Sequence, residues 1–436
     1  MIKLWDSLRS SFWFVPIVVI FLTLAIATIT ITVDRAVQLE GISIFGAVFP
    51  KGTSSAGTLL SAIATSILTV AGSIFSIVII ALQLASGQFG PRMLRDFMND
   101  RTSQATIGAC SSTFVYAIVV LWAIEDSKDI SFTPQISVVT GLLLAIISII
   151  LLVYFVHHIA SAIHVDNLIA KIGHESTQTI ERVLPDAASA HPPKQVHEIS
   201  GDFKAEASAV LAKSSGYIQQ IDIKKLNAIA AQNNLIIKVL YRPGQFVVQH
   251  SKTAYVSAQQ PLSKAVTHQI QRAFSYGNQR KPDYDIEFTL KQLVEIAIRA
   301  ISPAVNDPFT AIRCIDRLSV SLCQALHKVE QSAYVFDASG ALRLIINPVT
   351  FEQMTKDAFD QIRQYGKTDV AVTLRLLEAI ETIGKQAHTD KDRRPLRAQA
   401  EMIERGSKDG LPEENDRQEV AQQYQKTLRA LSNVDM

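Results

Sequence analysis

GTLLSAIATSILTVAGSIFSIVIIALQLA, residues 57–85, runs directly into SGQFGPR, residues 86–92. The first stretch carries no charge in 29 residues. As a helix it would be about 44 Å long, more than the roughly 30 Å hydrocarbon core of a bilayer. Its polar residues are ordered: Ser61, Thr65, Thr69, Ser73 and Ser76 follow steps of four and three, with Gln83 two turns on. That spacing puts one hydroxyl-lined face on a membrane-spanning helix. Two readings of the face stay open. It lines a path for water or ions, which hydroxyls hold weakly, or it lets helices pack closely through small residues.

The remainder of the chain fits a membrane protein with a large soluble part. Of 436 residues, 48% are hydrophobic and 19% charged. The mean hydropathy of +0.19 averages a very apolar first third with an ordinary remainder. A net charge of +2 without a basic stripe excludes a nucleic-acid surface as the main business. Cys110, Cys314 and Cys323 show no C-x-x-C spacing, so a disulfide framework is excluded and a reducing compartment fits the last two. The N-terminus begins like a signal peptide. Its apolar run from Phe12 to Val33 is too long for one, and an uncleaved span is expected.

Four uncharged stretches have spanning length: Phe12–Val33, Gly57–Ala85, about Gln104–Ile124 and about Ile136–Ile159. Without alternation in any of them, each satisfies its backbone only as a helix. Lys3, Arg9, Arg92, Arg95 and Arg101 outnumber Arg35, Lys51 and Lys128 on the other side. The bias predicts that both termini are cytoplasmic. Ser54 or Ser55 is expected to cap the long helix, Gly87, Gly90 and Pro91 to end it, and residues 91–98 to form a short amphipathic helix. Arg92, Arg95 and Arg101 would meet anionic headgroups or the inner mouth of a path. The patch Gly41–Phe49 is too short to span and would lie in the interface or dip into the membrane.

Residues 1–160 are therefore read as a four-helix transmembrane domain and 161–200 as a membrane-exit helix and linker. Residues 201–262 form a small β-containing module, with strands at Tyr217–Ile221, Leu235–Leu240 and Phe246–Val248 around a helix at Ile223–Ala231. Residues 263–390 form a mainly helical domain. Its helix from Asp285 stops at Ser302-Pro303, the next starts at Asp307-Pro308, and a hairpin turns at Asp337–Gly340. Residues 391–436 are read as charged, solvated helices with a flexible joint at Lys408–Glu414. The fold class is thus an α-helical membrane protein of four transmembrane helices with a mixed α+β, mostly helical, cytoplasmic domain.

A search for chemistry returns no catalytic constellation, and an enzyme is not expected. Gly366-Lys367-Thr368 ends like a phosphate loop, but Gln361 stands where the first glycine belongs, so a helix-connecting turn is expected. His157, His158 and His164 have only Asp166 as a nearby ligand type and read as interfacial histidines. Asp283, Asp285, Glu287 and Glu295 read as a solvated face. Gly52–Gly57 lacks the strand and glycine spacing of a nucleophile elbow. No cofactor or metal is implied. The loop holding Ser302, Asn306 and Asp307 is either a stop-and-start signal between helices or a binding surface.

Two segments carry a resemblance: the long span with Leu84-Ala85-Ser86-Gly87-Gln88-Phe89-Gly90-Pro91-Arg92-Met93-Leu94, and Ile298-Arg299-Ala300-Ile301-Ser302-Pro303-Ala304-Val305-Asn306-Asp307-Pro308-Phe309-Thr310-Ala311. With Gly216–Gln219 and Arg242-Pro243-Gly244 they resemble the bacterial membrane proteins grouped as domain of unknown function 2254. The resemblance implies a four-span inner-membrane protein with a cytoplasmic domain, and brings no activity, cofactor or catalytic residue. Function then divides between a homo-oligomeric channel or pore lined by the second span and a membrane-anchored sensor or scaffold whose cytoplasmic domain binds a partner or small ligand. The lipid bilayer and a second copy of the chain are the expected partners; nucleic acid is not.

Overall fold

Each of the four apolar stretches forms one helix: α1 Phe14–Ala36, α2 Thr53–Phe89, α3 Arg101–Glu125 and α4 Gln135–Ala162. All four are long and apolar enough to cross a membrane. The structure is a computed structural model that describes residues 13–36, 53–89, 100–125, 134–162, 164–185, 207–258 and 261–432. It divides into two units, Met1–Asn167 and Leu168–Met436. In the first unit α3 is the central helix: half of its apolar window is buried, against 22% in α1 and α2 and 28% in α4. Large apolar side chains point outward instead, among them Phe21, Leu22, Ile79, Ile80, Ile147 and Ile150. A helix bundle in water hides such side chains; one in hydrocarbon has no reason to.

Two expectations about α2 change. Thr53 already belongs to the helix, so Ser54 and Ser55 lie in its first turn and do not cap it. The helix also continues through Gly87 to Phe89. One glycine costs a helix about 1 kcal/mol, too little to stop one already propagated through more than eight turns. The patch 41–49, the 91–98 segment, Arg92 and Arg95 lie outside the described residues.

The second unit begins on α5, Val165–Val183. Its buried face of Leu168, Ile169, Ile172 and Ile180 belongs to this unit's core, so the exit segment is more than a linker. Six strands alternate with two helices: β1 Ser208–Leu211, β2 Gly216–Ile221, α6 Ile223–Gln232, β3 Ile236–Val239, β4 Phe246–Val247, β5 Lys252–Ser257, α7 Lys264–Gln271 and β6 Phe274–Gly277, and two more strands join them from far along the chain. After α8 Ile286–Ala300 and α9 Pro308–Leu326 comes the hairpin β7 Tyr334–Phe336 and β8 Leu342–Ile345. One sheet has the order β1-β5-β3-β8-β7, with β3 and β8 parallel; the other is β4-β2-β6. The expected β module therefore extends past residue 262 and takes in the hairpin. The hairpin turn is held by Asp337, whose carboxylate accepts from the Ser339 amide and hydroxyl, the Ala341 amide and Arg343 Nε. The Ser339 hydroxyl and Arg343 hold that carboxyl well below the usual range.

Four more helices follow: α10 Phe351–Gly366, α11 Val370–Gly384, α12 Asp390–Gly410 and α13 Glu414–Ser432. The sequence places the start of α12 after Pro395. It starts six residues earlier, at Asp390, where Thr389 and Asp392 close a capping box. The joint at 408–414 is ordered: Lys408 to Gly410 are helical, Leu411 is buried, and Arg417 Nη1 donates to the carbonyls of Leu411 and Pro412. Leu396, Ala400, Ile403, Val420 and Leu431 are buried, so these charged helices have a full apolar side and are not solvated all round.

Candidate functional site

The hydroxyl face of α2 points away from its own bundle. Ser61, Thr65, Thr69, Ser73, Ser76 and Gln83 are all exposed. The buried side of the helix is Ala56, Leu60, Ile63, Ala64, Ile67, Ile74 and Ala81. At 100° per residue the two sets lie on opposite sides of the helix, about 180° apart. Close packing against the other three spans therefore does not explain the face. Gly72 lies on it, and a Cβ there would meet no atom within 4 Å. The hydroxyls bond back onto their own helix: Thr65 to the Ser61 carbonyl at 2.9 Å, Thr69 to Thr65 at 3.0 Å, Ser73 to Thr69 at 3.1 Å and Ser76 to Gly72 at 3.1 Å. Such i−4 bonds satisfy each donor and leave the oxygen's acceptor lone pairs facing outward.

Several polar groups elsewhere in the bundle have partners on other helices, at both ends. At one end Asp34 of α1 is buried and its carboxylate accepts from the amides of Ile136 and Ser137, 2.9 Å each, and from the Ser137 hydroxyl at 2.6 Å. It thereby caps the N-terminus of α4 from another helix. The Tyr116 hydroxyl of α3 lies 3.0 Å from Thr30 Oγ1 and donates to the Ser137 carbonyl at 3.0 Å, joining three helices. At the other end Asp100 caps α3, accepting from the Ser103 amide and hydroxyl, and lies 3.0 Å from His158 Nε2 of α4. Burial works to raise the Asp100 carboxyl, and Ser103 and His158 outweigh it, holding the group below its ordinary range. His158 is thus a polar partner of Asp100, a role sequence reading missed because Asp100 is 58 residues away. His164 has Asp166 at 3.8 Å, and no metal-type cluster occurs among the described residues. Arg101 is exposed at the first position of α3.

In the second unit, the Ser302–Thr310 loop uses its polar groups locally. Ser302 Oγ donates to the Arg299 carbonyl; Asp307 caps α9, accepting from the Thr310 amide at 3.1 Å and hydroxyl at 2.6 Å. Asn306 takes φ 52°, a left-handed conformation that asparagine tolerates. The loop offers solvent Pro303, Ala304 and Asn306 together with Val305, 48% exposed, and Phe309, 71% exposed.

The carboxylates expected on a solvated face behave otherwise. Asp285 and Glu287 are buried. Asp285 caps α8 and takes a paired contact from Arg280 at 2.7 Å, while Glu287 pairs with Arg242. Gly244 has φ 90°, and a Cβ there would fall 2.1 Å from Asp285 Oδ2, so the Arg242-Pro243-Gly244 turn is the cradle for this ion-pair cluster. Asp283, by contrast, is exposed and pairs with Arg182 of α5. Glu295 lies 3.8 Å from Arg299. Burial pushes the Cys314 thiol far above its ordinary range, which makes it an inert packing residue.

Gly366-Lys367-Thr368 is the expected turn between helices. Gly366 ends α10, Asp369 caps α11 through the Val372 amide, and Gln361 lies inside α10.

No solved structure matches this chain. It is similar to an uncharacterised protein of Mycobacterium bovis and one of Mycobacterium tuberculosis, each 28% identical over 366 residues, covering 83% of this chain and 70% of theirs. The model of the family described as predicted membrane protein, domain of unknown function 2254, matches residues 9–382. With its four apolar helices, this chain is a membrane protein and belongs to that family.

Proposed function

We propose that the protein is a homo-oligomeric channel or pore of the inner membrane, with several copies presenting the hydroxyl face of α2 to a shared path. One observation carries this reading: the most polar face of an uncharged spanning helix is turned out of its own bundle while its apolar face is buried inside. Facing lipid, the outward acceptor oxygens and the Gln83 amide would be a continuing cost; facing water or another copy, they are not. Hydroxyls and a neutral amide hold water and ions without a deep trap. The reading includes no catalytic step, and it sets both termini on the cytoplasmic side.

The test is Thr65→Cys, Thr69→Cys and Ser73→Cys, each in a Cys323→Ser background, treated with a membrane-impermeant thiol reagent from either side. Reaction at one or more positions, in a protein that elutes as an oligomer, is the expected result. Uniform protection in a single-copy protein overturns it. That outcome favours the second reading, a membrane-anchored scaffold, which the exposed Val305 and Phe309 beside Asn306 support.

A further inference from the structure

We propose that the cleft between α10, α11 and α12 is a binding site for a small phosphate-bearing anion, held by Arg363 and Lys367. The cleft measures about 310 Å³ and is lined by Arg363, Gln364, Lys367, Thr373, Ile403 and Gly406, with Leu376 at its wall. Two of these side chains are cationic and none is acidic. Charge of one sign around a concave, partly apolar space focuses the field on whatever enters it. Arg363 Nε is buried with no hydrogen-bond partner, and the guanidinium's contact to Asp360 is long, 3.4 Å. An unmade bond from a buried cationic donor is costly, so the site is better satisfied filled than empty.

The elements set the two cations in place. Arg363 lies on α10 and Lys367, four residues on, is its C-cap in helical conformation, so both side chains lie on one face. Gly366 allows α11 to fold back tightly: a Cβ there would meet Val372 Cγ1 at 2.7 Å. Thr373 bonds to the Gly366 and Asp369 carbonyls and keeps the turn closed. On α12, Gln399 lies one turn before Ile403, fully buried, with its Nε2 on Asp360 at 2.7 Å and its Oε1 without a partner. Arg363 Nε and Gln399 Oε1 are both without partners, and both side chains contact the same Asp360 oxygen.

Volume limits the occupant. At about 30 Å³ per water, the space equals roughly ten waters. It admits phosphate, pyrophosphate or a small phosphorylated molecule. Recognition here uses side-chain cations over a helix turn, not the glycine-rich backbone cradle whose last three residues the sequence mimics.

The experiment is calorimetric titration of inorganic pyrophosphate into the full-length protein in phosphatidylcholine nanodiscs, repeated in nanodiscs that contain phosphatidate. Saturable binding is expected, weakened at least tenfold by Lys367→Ala and by Arg363→Gln and unchanged by Lys426→Ala, an exposed lysine on α13. Lys367 is exposed, so its replacement leaves folding intact even if the Arg363 variant does not. Gly406→Leu fills the cleft without a clash, since a Cβ there meets nothing within 4 Å; it abolishes binding and leaves the melting temperature unchanged or higher. Competition by phosphatidate assigns the phosphate to a lipid headgroup, and its absence to a soluble molecule. No saturable binding in either nanodisc, or wild-type affinity in Lys367→Ala, overturns the proposal.

Discussion

α2 and α3 are both spanning helices rich in hydroxyls, and they use them in opposite ways. On α3 the hydroxyl side chains at Ser103, Thr106, Ser112, Thr113 and Tyr116 are all buried. While Thr106 and Ser112 bond within their own helix, two hydroxyls reach other helices: Thr113 lies 2.9 Å from Ser148 of α4, and Tyr116 touches both α1 and α4. Those of α2 face outward and bond to their own backbone. The glycines divide in the same way. A Cβ on Gly108 of α3 would come within 3.2 Å of Pro16 Cα, so that glycine permits close approach to α1, whereas Gly72 of α2 has open space above it. Small and polar residues in a membrane helix mark a contact. On α3 the contact is inside the chain; on α2 it is outside it.

The largest effect should come from Asp34→Ala, at the end of the inward network. It removes the acceptor for two amides and one hydroxyl at the start of α4. Leaving those donors unmet in a buried site should cost about 3 kcal/mol, read as a lower unfolding temperature in detergent, with Asp34→Asn recovering part of it. A variant as stable as the wild type would break the view that α3 and its neighbours are tied together by polar groups.

This clasp was not legible in the sequence, and the reason is general. Spanning length, helical period and the Asp307-Pro308 start are local, and the sequence carries them within a turn or two. Asp34 meets Ser137 across 103 residues and Glu287 meets Arg242 across 45. For such pairs a lone carboxylate in the sequence looks solvated whatever its true burial. The hydroxyl face of α2 is an intermediate case. Periodicity shows that the face exists, but whether it turns in or out depends on which other face is more apolar, and on α2 both are uncharged. The hairpin at Asp337 was legible; its parallel pairing with β3 was not, because the parallel register leaves no local mark.

A smaller effect is expected from Tyr116→Phe, which keeps the ring in the core and removes only the hydroxyl that bridges Thr30 and Ser137. Hydrogen bonds between membrane helices average about 0.6 kcal/mol and reach about 1.7; as a bridge between three helices this one should cost about 1 kcal/mol. The same unfolding measurement reads it. A loss much larger than that would mean the ring itself had moved, which the unchanged near-ultraviolet spectrum of a properly packed variant would exclude.

The smallest effect on stability, and the sharpest test of the comparison, is the triple replacement Thr65→Val, Thr69→Val and Ser73→Ala. Each change removes a hydroxyl that, among the described residues, bonds to its own helix. Valine and threonine have similar size and helix propensity, so the single-copy bundle should unfold within about 0.5 kcal/mol of the wild type. If α2 faced the interior, three lost bonds would add to about 2 kcal/mol. Assembly and ion flux should respond instead: light scattering and vesicle flux then report a face that matters to something other than its own bundle. Equal loss of stability, with assembly unchanged, would put the α2 hydroxyls in the same class as those of α3.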